Sequence, residues 1–592
     1  MQKGKVSDER RKIIKTGAKT FMVAAAMTQF GGLMGTLDAA IPSSEEKADL
    51  IYINGKVYTV DDKKAWAEAF AVKNRRFIAV GTNKEMEKLR GKKTKMIDLK
   101  DHFVMPGLID DHIHPDMGAD NYLNVFIKTT DNWETIIQKI KDYRKNNPNK
   151  KWIFGSSIDW LLDDNGIIKN YNLPSNKSIL DKIVDDRPVA LWDQGAHAML
   201  LNTKALEALN ITEKTPNPAG GMLIKDKSGK LTGVIRETAT TLVINALDNF
   251  SLADWTKKGM QPFLNELNSY GITALSDAYV VERNAQSFAS LEKTGTLNLW
   301  INLYMATPLE FNREDKKKAQ YDFIVNSAKY KTEQISPAGV KYLLDGAAAG
   351  KTAAMLKPFE GTDILAPLRY PKEKIETEMK KFAKMGYAMK SHAIGDRAIR
   401  ILLDIYQELP KREKELAMNS IAHSVFPDPS DIARYEATNT VYEASPAIWF
   451  PTNAIPIIEA DIGKERLSHA WPIKKMIENN TIVSYGSDWV VSQTPNPWPG
   501  IEGMITRQVP GGSKDAFVPD AAVDLPTALK IVTLNGAISM GISDKTGSIE
   551  KNKSADFIVL DKNPFDIDTY QIHNIKVLST VFRGSEIYTL KR

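Results

Sequence analysis

The stretch Val104–His114, VMPGLIDDHIH, decides the fold. It begins apolar, turns at Pro106-Gly107 and ends in two histidines with one residue between them. Alternate side chains of a strand lie on the same face, so His112 and His114 point the same way if this segment is a strand end. Two converging imidazoles suit a divalent metal. The alternative is that the two histidines are unrelated. Further metal-binding residues elsewhere in the chain would favour the metal site.

The composition is that of an ordinary globular protein. The chain has 592 residues, 43% hydrophobic and 26% charged, which suits one large domain with insertions or a few domains. It has no cysteine, which excludes disulfides, thiolate ligands and thiol nucleophiles. The formal net charge is +6. Most of this excess lies in the first 40 residues, so we expect no nucleic-acid partner.

The N-terminus is similar to an export signal. Glu9–Lys15, ERRKIIK, resembles the twin-arginine pattern, and a mildly apolar run follows from Phe21 to Met34. That run is too short and too rich in glycine and threonine to span a membrane. We therefore predict a twin-arginine-type signal peptide over residues 1–40, and an exported, periplasmic protein without stable membrane insertion. A basic amphipathic helix is the alternative.

Both ends of the remaining chain show short alternating strands. Residues 49–60 alternate around a turn at Asn54-Gly55, which indicates a hairpin. Ala555–Leu560 and the segments after it show the same pattern. We predict that residues 48–103 and 541–592 pair into one small β-sandwich.

Between these ends, short apolar runs alternate with helical segments, the pattern of a parallel sheet. The runs are Gly271–Asp277, Leu299–Ala306, Val340–Asp345, Tyr387–His392, Ser420–His423, Thr440–Ala444 and Ile482–Asp488. With the first strand they make the number in a (β/α)8 barrel. We predict an α/β fold, with a TIM barrel over residues 104–540. The stretch from about 115 to 270 lacks the repeat, and we expect it to be an insert that covers the site.

Metal-binding residue types end three further strands. Barrel active sites lie at the C-terminal ends of the strands, where His392, His423 and Asp488 occur. Singly, such a histidine is more often a core group. Four of the chain's eight histidines fall at predicted strand ends, however, together with a terminal aspartate. The predicted metal ligands are therefore His112, His114, His392, His423 and Asp488.

The fourth strand adds a lysine among apolar neighbours. Lys341 and Asp345 share parity in VKYLLDG, so both side chains could face the barrel interior. A buried cation needs a partner or a lowered pKa. A neutral lysine amine can react with CO2 to give a carbamate that bridges two metals. We predict this metal-bridging role for Lys341, with an ion pair to Asp345 or another carboxylate as the alternative.

These motifs resemble the amidohydrolase superfamily, and in particular its amidohydrolase 3 branch of YtcJ-like proteins and N-substituted formamide deformylases. Besides the first-strand histidines, the resemblance rests on His392–Ile399 (HAIGDRAI), Val340–Gly346 (VKYLLDG) and Tyr485–Trp489 (YGSDW). Ala422 departs from the family, which often has glutamate before the sixth-strand histidine.

The predicted insert also matches a family pattern, at Gly195, His197 and Asn202. The resemblance implies that His197 reaches toward the substrate and helps to polarise its carbonyl. A structural histidine in the lid is the alternative.

The resemblance implies hydrolysis of a C–N bond, other than a peptide bond, by a metal-activated water. The expected substrate is a small amide, N-substituted formamide or cyclic amide, with Asp488 as general base and then acid. One or two divalent ions are expected, zinc first, with manganese or iron as alternatives. The sequence is compatible with a homodimer. The alternative functions are a non-catalytic secreted regulator or binding protein on this scaffold, and a same-fold hydrolase of esters or C–C bonds.

Overall fold

Eight parallel strands form one sheet whose spatial order follows the chain. They are β1 (Leu108–Ile113), β2 (Ile272–Val280), β3 (Trp300–Ala306), β4 (Ile335–Leu343), β5 (Ala388–Ala393), β6 (Asn419–His423), β7 (Thr440–Ala444) and β8 (Val483–Tyr485). Their residues are buried almost throughout, as expected for strands covered on both faces. The TIM barrel predicted from the sequence is confirmed.

The computed structural model describes residues 47–591, apart from 129–130, 159–176, 194–197, 219, 248–249, 309–313, 414, 447–453 and 493. The predicted signal peptide and His197 lie outside these residues. Within them, no helix combines the length and the apolar character that crossing a membrane requires.

The first and last strands close the barrel. The main-chain N–H of Asp488 donates to the carbonyl of His112 at 2.8 Å, and that of His114 donates to the carbonyl of Trp489 at 2.9 Å. Gly486 permits this close approach, because a Cβ there would lie 2.4 Å from the Cβ of His112. The seam therefore brings the two first-strand histidines next to Asp488.

Amphipathic helices cover the outside of the barrel. Those between β2 and β7 are Glu282–Lys293, Glu314–Asn326, Lys372–Lys384, Asp396–Gln407 and Ile432–Ala437. Ala454–Ile462, Lys464–Leu467 and Ile473–Glu478 precede β8, and Pro497–Thr506, Leu525–Lys530 and Gly536–Ser539 follow it. Asp396–Gln407 shows the principle, since it buries Ala398, Ile399, Leu402, Leu403, Ile405 and Tyr406 at helical spacing.

A mixed six-stranded sheet is inserted after β1. Its strands, in spatial order, are Gly221–Lys225, Leu231–Glu237, Ala198–Leu201, Val189–Asp193, Ile153–Ile158 and Val125–Phe126. The helices Trp133–Asn146, Ser178–Ile183 and Thr203–Ala208 accompany it. Pro115–Leu123 and Gln261–Ser269 flank the insert and pack on each other, with Gly118 against the ring of Phe263. The predicted insertion after the first strand is confirmed.

The two ends of the described chain form a β-sandwich. One sheet contains Arg76–Gly81, Ala69–Lys73, Leu50–Ile53 and Lys95–Asp98; the other contains Ser585–Thr589, Val577–Phe582, Phe557–Leu560, Phe103–Pro106, Lys56–Tyr58 and Trp66–Ala67. Phe103–Pro106 pairs with Phe557–Leu560 on one side and with Lys56–Tyr58 on the other, so it joins the two chain ends. The sandwich predicted from the two ends is confirmed, and the barrel begins at Leu108.

Candidate metal centre at the barrel mouth

Three side chains from three strands meet at the C-terminal mouth of the barrel. His112 lies in β1, His423 ends β6 and Asp488 follows β8. All three are buried, and one ligand atom of each lies within 4.8 Å of the others. His112 Nε2 is 3.5 Å from Asp488 Oδ1, and His423 Nδ1 is 3.7 Å from Asp488 Oδ2. Two imidazoles and a carboxylate at this spacing are a donor set that fits a divalent metal.

The other two predicted histidine ligands border this group. His114 Nε2 lies 3.3 Å from Asp488 Oδ1. The ring centroid of His392 is 4.6 Å from that of His423. Its Nε2, however, faces the carbonyl oxygen of Gly346 at 3.2 Å. The structure therefore places both histidines at the site but outside the tight group of three, and their role as ligands stays a prediction.

Lys341 lies at the bottom of this group. Its Nζ is 3.1 Å from His112 Nε2, and the side chain is buried. Burial lowers the pKa of Lys341 to about 8, although the Glu443 carboxylate opposes the shift. Asp345 instead accepts main-chain N–H groups, from Ala354, Ile394 and Gly395. The alternative of a Lys341–Asp345 ion pair is thus not found in the described part of the chain.

Both histidines of the tight group are electrically neutral near pH 7. Burial, helped by Lys341, holds the pKa of His112 well below its ordinary value. Burial and His392 do the same for His423. Metals bind the neutral imidazole, so both rings have the protonation state that a metal requires near pH 7.

Two of the three groups have an unusual backbone conformation. The φ angle is +69° at His423 and +54° at Asp488, in the left-handed region that non-glycine residues seldom adopt. Such conformations persist only where the surrounding structure enforces them, and they cluster at functional sites. The backbone is therefore consistent with a functional role for these two strand ends.

Directly beneath the metal group lies a second layer of buried polar side chains, which was not predicted from the sequence. Glu443 in β7 forms hydrogen bonds with both His112 Nδ1 and Lys390 Nζ. Lys390, in β5, also donates to the main-chain carbonyl of Asp111 at 2.8 Å. Although burial opposes it, Asp111 and Glu443 raise the pKa of Lys390 above its ordinary value. Lys390 is therefore an ammonium at neutral pH.

The carboxylate of Asp111 completes this layer. It accepts hydroxyl hydrogen bonds from Ser276 at 2.7 Å, Ser484 at 2.8 Å and Ser539 at 2.5 Å. The only sequence signal for the layer was a charged residue inside each of three apolar strands.

The insert reaches the site through its edge strand. The ring centroid of Phe126 lies 5.9 Å from that of Trp489, the residue directly after Asp488. Asn202, from the pattern that also contains His197, is fully buried and caps the helix Thr203–Ala208. Its amide also donates to two main-chain carbonyls. Asn202 therefore stabilises the insert.

Comparisons with known proteins agree with this architecture. The chain is 25% identical over 543 residues to an N-substituted formamide deformylase of Arthrobacter pascens, which covers 90% of this chain and 97% of the relative. It is 23% identical over 556 residues to the putative amidohydrolase YtcJ of Bacillus subtilis, covering 91% and 99%. An uncharacterised metal-dependent hydrolase from Pyrococcus horikoshii shares the fold, with a TM-score of 0.69 and 21% identity over 88% of this chain and 99% of that one.

The model of the amidohydrolase family matches residues 95–588. That range contains the whole barrel, the insert and about half of the sandwich. The resemblance seen in the sequence motifs is thereby confirmed: the chain belongs to the amidohydrolase family.

Proposed function

We propose that this protein is a metal-dependent hydrolase that cleaves a C–N bond in an amide, an N-substituted formamide or a cyclic amide. The observation that carries the proposal is the convergence of His112, His423 and Asp488, whose ligand atoms lie within 4.8 Å of one another. Membership of the amidohydrolase family supports the class of reaction. The formamide deformylase among the relatives supports the choice of bond.

The metal-binding group and the carboxyl of Asp488 have separate roles in the proposed reaction. A divalent ion held by this group would lower the pKa of a water and polarise the substrate carbonyl. Asp488 then takes a proton from the attacking water as its oxygen adds to the carbonyl carbon. The same carboxyl returns the proton to the leaving nitrogen as the C–N bond breaks. Asp488 suits this task because it is buried beside the neutral imidazoles of His112 and His423.

We further propose zinc as the metal and a carbamylated Lys341 as a bridge between two ions. The short distance from Lys341 Nζ to His112 Nε2 supports the bridging position. The lowered pKa supports the neutral amine that CO2 requires. A carbonyl resonance that appears on incubation with 13C-bicarbonate, and is missing in Lys341→Met, is the expected NMR result. Its presence in the variant would exclude Lys341 as the modified residue.

The function is tested by a panel of N-formyl, N-acyl and cyclic amides on zinc-loaded and manganese-loaded protein. Asp488→Asn keeps an oxygen ligand at this position but cannot accept a proton, so kcat per bound metal ion on the best substrate should fall by about a thousandfold or more. Asp62→Asn is the control, since Asp62 is exposed and pairs with Lys530 at the surface. Full activity of Asp488→Asn would contradict the assignment.

The other expectations are also proposals. We propose export through residues 1–40, which replacement of Arg10 and Arg11 by lysine in a reporter fusion should block. We propose that His197 contacts the substrate, so His197→Asn should raise KM or lower kcat without changing metal content. Absence of bound metal and of turnover on every substrate would favour the non-catalytic binding protein.

A further inference from the structure

We propose that the buried pair Glu443–Lys390 is a positioning device for His112, which fixes the imidazole with its proton on Nδ1 and its lone pair on Nε2, facing the metal site. This inference rests on the proposed function, because it concerns how the candidate metal centre is prepared. Neither residue touches the group of three ligand atoms directly, so both are positioning residues.

The two ring nitrogens of His112 face different surroundings. Nδ1 bonds to Glu443 Oε1, in the layer beneath the site. Nε2 faces the site itself, 3.5 Å from Asp488 Oδ1 and 3.1 Å from Lys341 Nζ. An ionised carboxylate can only accept a hydrogen bond, so the proton of the neutral ring must be on Nδ1. The free lone pair is then on Nε2, where a metal needs it.

Two donors hold Glu443 in place. Glu443 is fully buried, where a carboxylate needs a cation and hydrogen-bond donors as partners. Lys390 supplies that cation at Oε2, and the hydroxyl of Ser420 donates to the same oxygen at 3.2 Å. Lys390 also holds the carbonyl of Asp111, the residue before His112, at 2.8 Å. The Lys390 ammonium thus fixes both Glu443, which is the partner of the His112 ring, and the backbone just before His112.

A positioning role differs from that of an ordinary buried ion pair. A pair that only stabilised the barrel would affect unfolding but leave metal affinity unchanged. The chain contains a matched comparison outside the barrel strands: Glu502, also fully buried, accepts from His573 Nδ1 at 2.7 Å. Glu502 lies in the helix Pro497–Thr506 and has no contact with the candidate metal group among its described hydrogen bonds.

The test measures zinc affinity by competition with a chromogenic chelator, without any substrate. The double variant Glu443→Met/Lys390→Met replaces the pair by apolar side chains of similar length, an exchange that buried ion pairs often tolerate. We expect it to fold and to bind zinc about 10–100-fold more weakly than wild type. Glu443→Gln, which keeps an oxygen acceptor for His112, should lose less affinity. Glu502→Met should bind zinc as wild type does.

Zinc affinity of the double variant within about twofold of wild type, a difference too small for a lost outer-shell partner, would overturn the inference and leave the proposed function intact. Failure of wild-type protein to bind zinc would overturn both. A readout on unmodified protein decides the matter if the variants do not fold. In 15N-histidine-labelled, metal-free protein, we expect the His112 resonances of a neutral ring protonated on Nδ1. A ring protonated on Nε2 would contradict the inference.

Discussion

Two buried lysines lie side by side in the barrel and have opposite electrostatic environments. Lys341 in β4 and Lys390 in β5 are direct partners in the strand register, and both are buried. Lys390 has carboxylate partners, which raise its pKa. Lys341 Nζ lies 3.1 Å from His112 Nε2, and burial lowers the pKa of Lys341 to about 8. Burial alone therefore does not fix the charge of a barrel lysine; its carboxylate partners do.

This difference gives the two lysines different roles: Lys390 a structural role and Lys341 a chemical role. A lysine held as a cation cannot act as a nucleophile, but it can hold a carboxylate in place. A lysine with a lowered pKa has access to the neutral amine, which is the reactive form. Lys390 therefore belongs to the layer of Asp111, Lys390 and Glu443 beneath the site, which we call the framework. Lys341 belongs to the site itself.

The largest expected effect on stability comes from replacing Lys390 alone. Lys390→Met leaves Glu443 and Asp111 buried without their cation, which should lower the free energy of unfolding by about 3–5 kcal/mol. Urea denaturation followed by tryptophan fluorescence measures this loss. Lys341→Met should cost far less at pH 7, because the hydrogen bond described for its amine is to His112 and not to a carboxylate. Equal losses in the two variants would remove the distinction.

A smaller effect should appear in the pH dependence of stability. The pKa of Lys341 is lowered from 10.5 to about 8 in the folded protein. Between these values the unfolded chain binds the extra proton, so the stability of wild type relative to Lys341→Met should rise with pH across that window. The gain is up to about 3 kcal/mol at pH 10.5. Urea midpoints of both proteins from pH 7 to pH 10.5 measure it, and a falling difference would contradict the assigned pKa direction.

The smallest effect concerns a hydroxyl that supports the framework. Ser276→Ala removes one of three hydroxyl donors to Asp111, at 2.7 Å, and should lower the free energy of unfolding by about 1–2 kcal/mol. Zinc affinity should stay unchanged, since Ser484 and Ser539 still bond the carboxylate. A large fall in zinc affinity would show that this layer is more tightly coupled to the site than the hydrogen bonds indicate.

The fold and the ligand-bearing strand ends could be predicted because each has a local signature. Histidines or an aspartate at the end of an apolar run identify the mouth of a barrel, and His112, His423 and Asp488 do meet there. His392 shows the limit of that reasoning. Its strand and position agree with the prediction, but the direction of Nε2 toward Gly346 depends on the loop after β4, which no local pattern encodes.

The framework layer could not be predicted for a different physical reason. Glu443 and Lys390 lie 53 residues apart in the chain and meet only because their strands both line the barrel interior. A charged residue in an apolar strand signals a buried partner but does not name it. The same holds for Asp111 and its serines, which come from β2, β8 and the C-terminal helix Gly536–Ser539.

The most direct test of the central claim is the metal content of the protein purified without chelators, measured together with hydrolysis of the best amide in the panel. The account predicts at least one bound divalent ion per chain, loss of activity on its removal and recovery on adding zinc. The exchange His423→Asn should lower both metal content and turnover, because His423 is one of the three groups at ligand distance. A metal-free protein whose amide hydrolysis is unaffected by chelation would contradict the account.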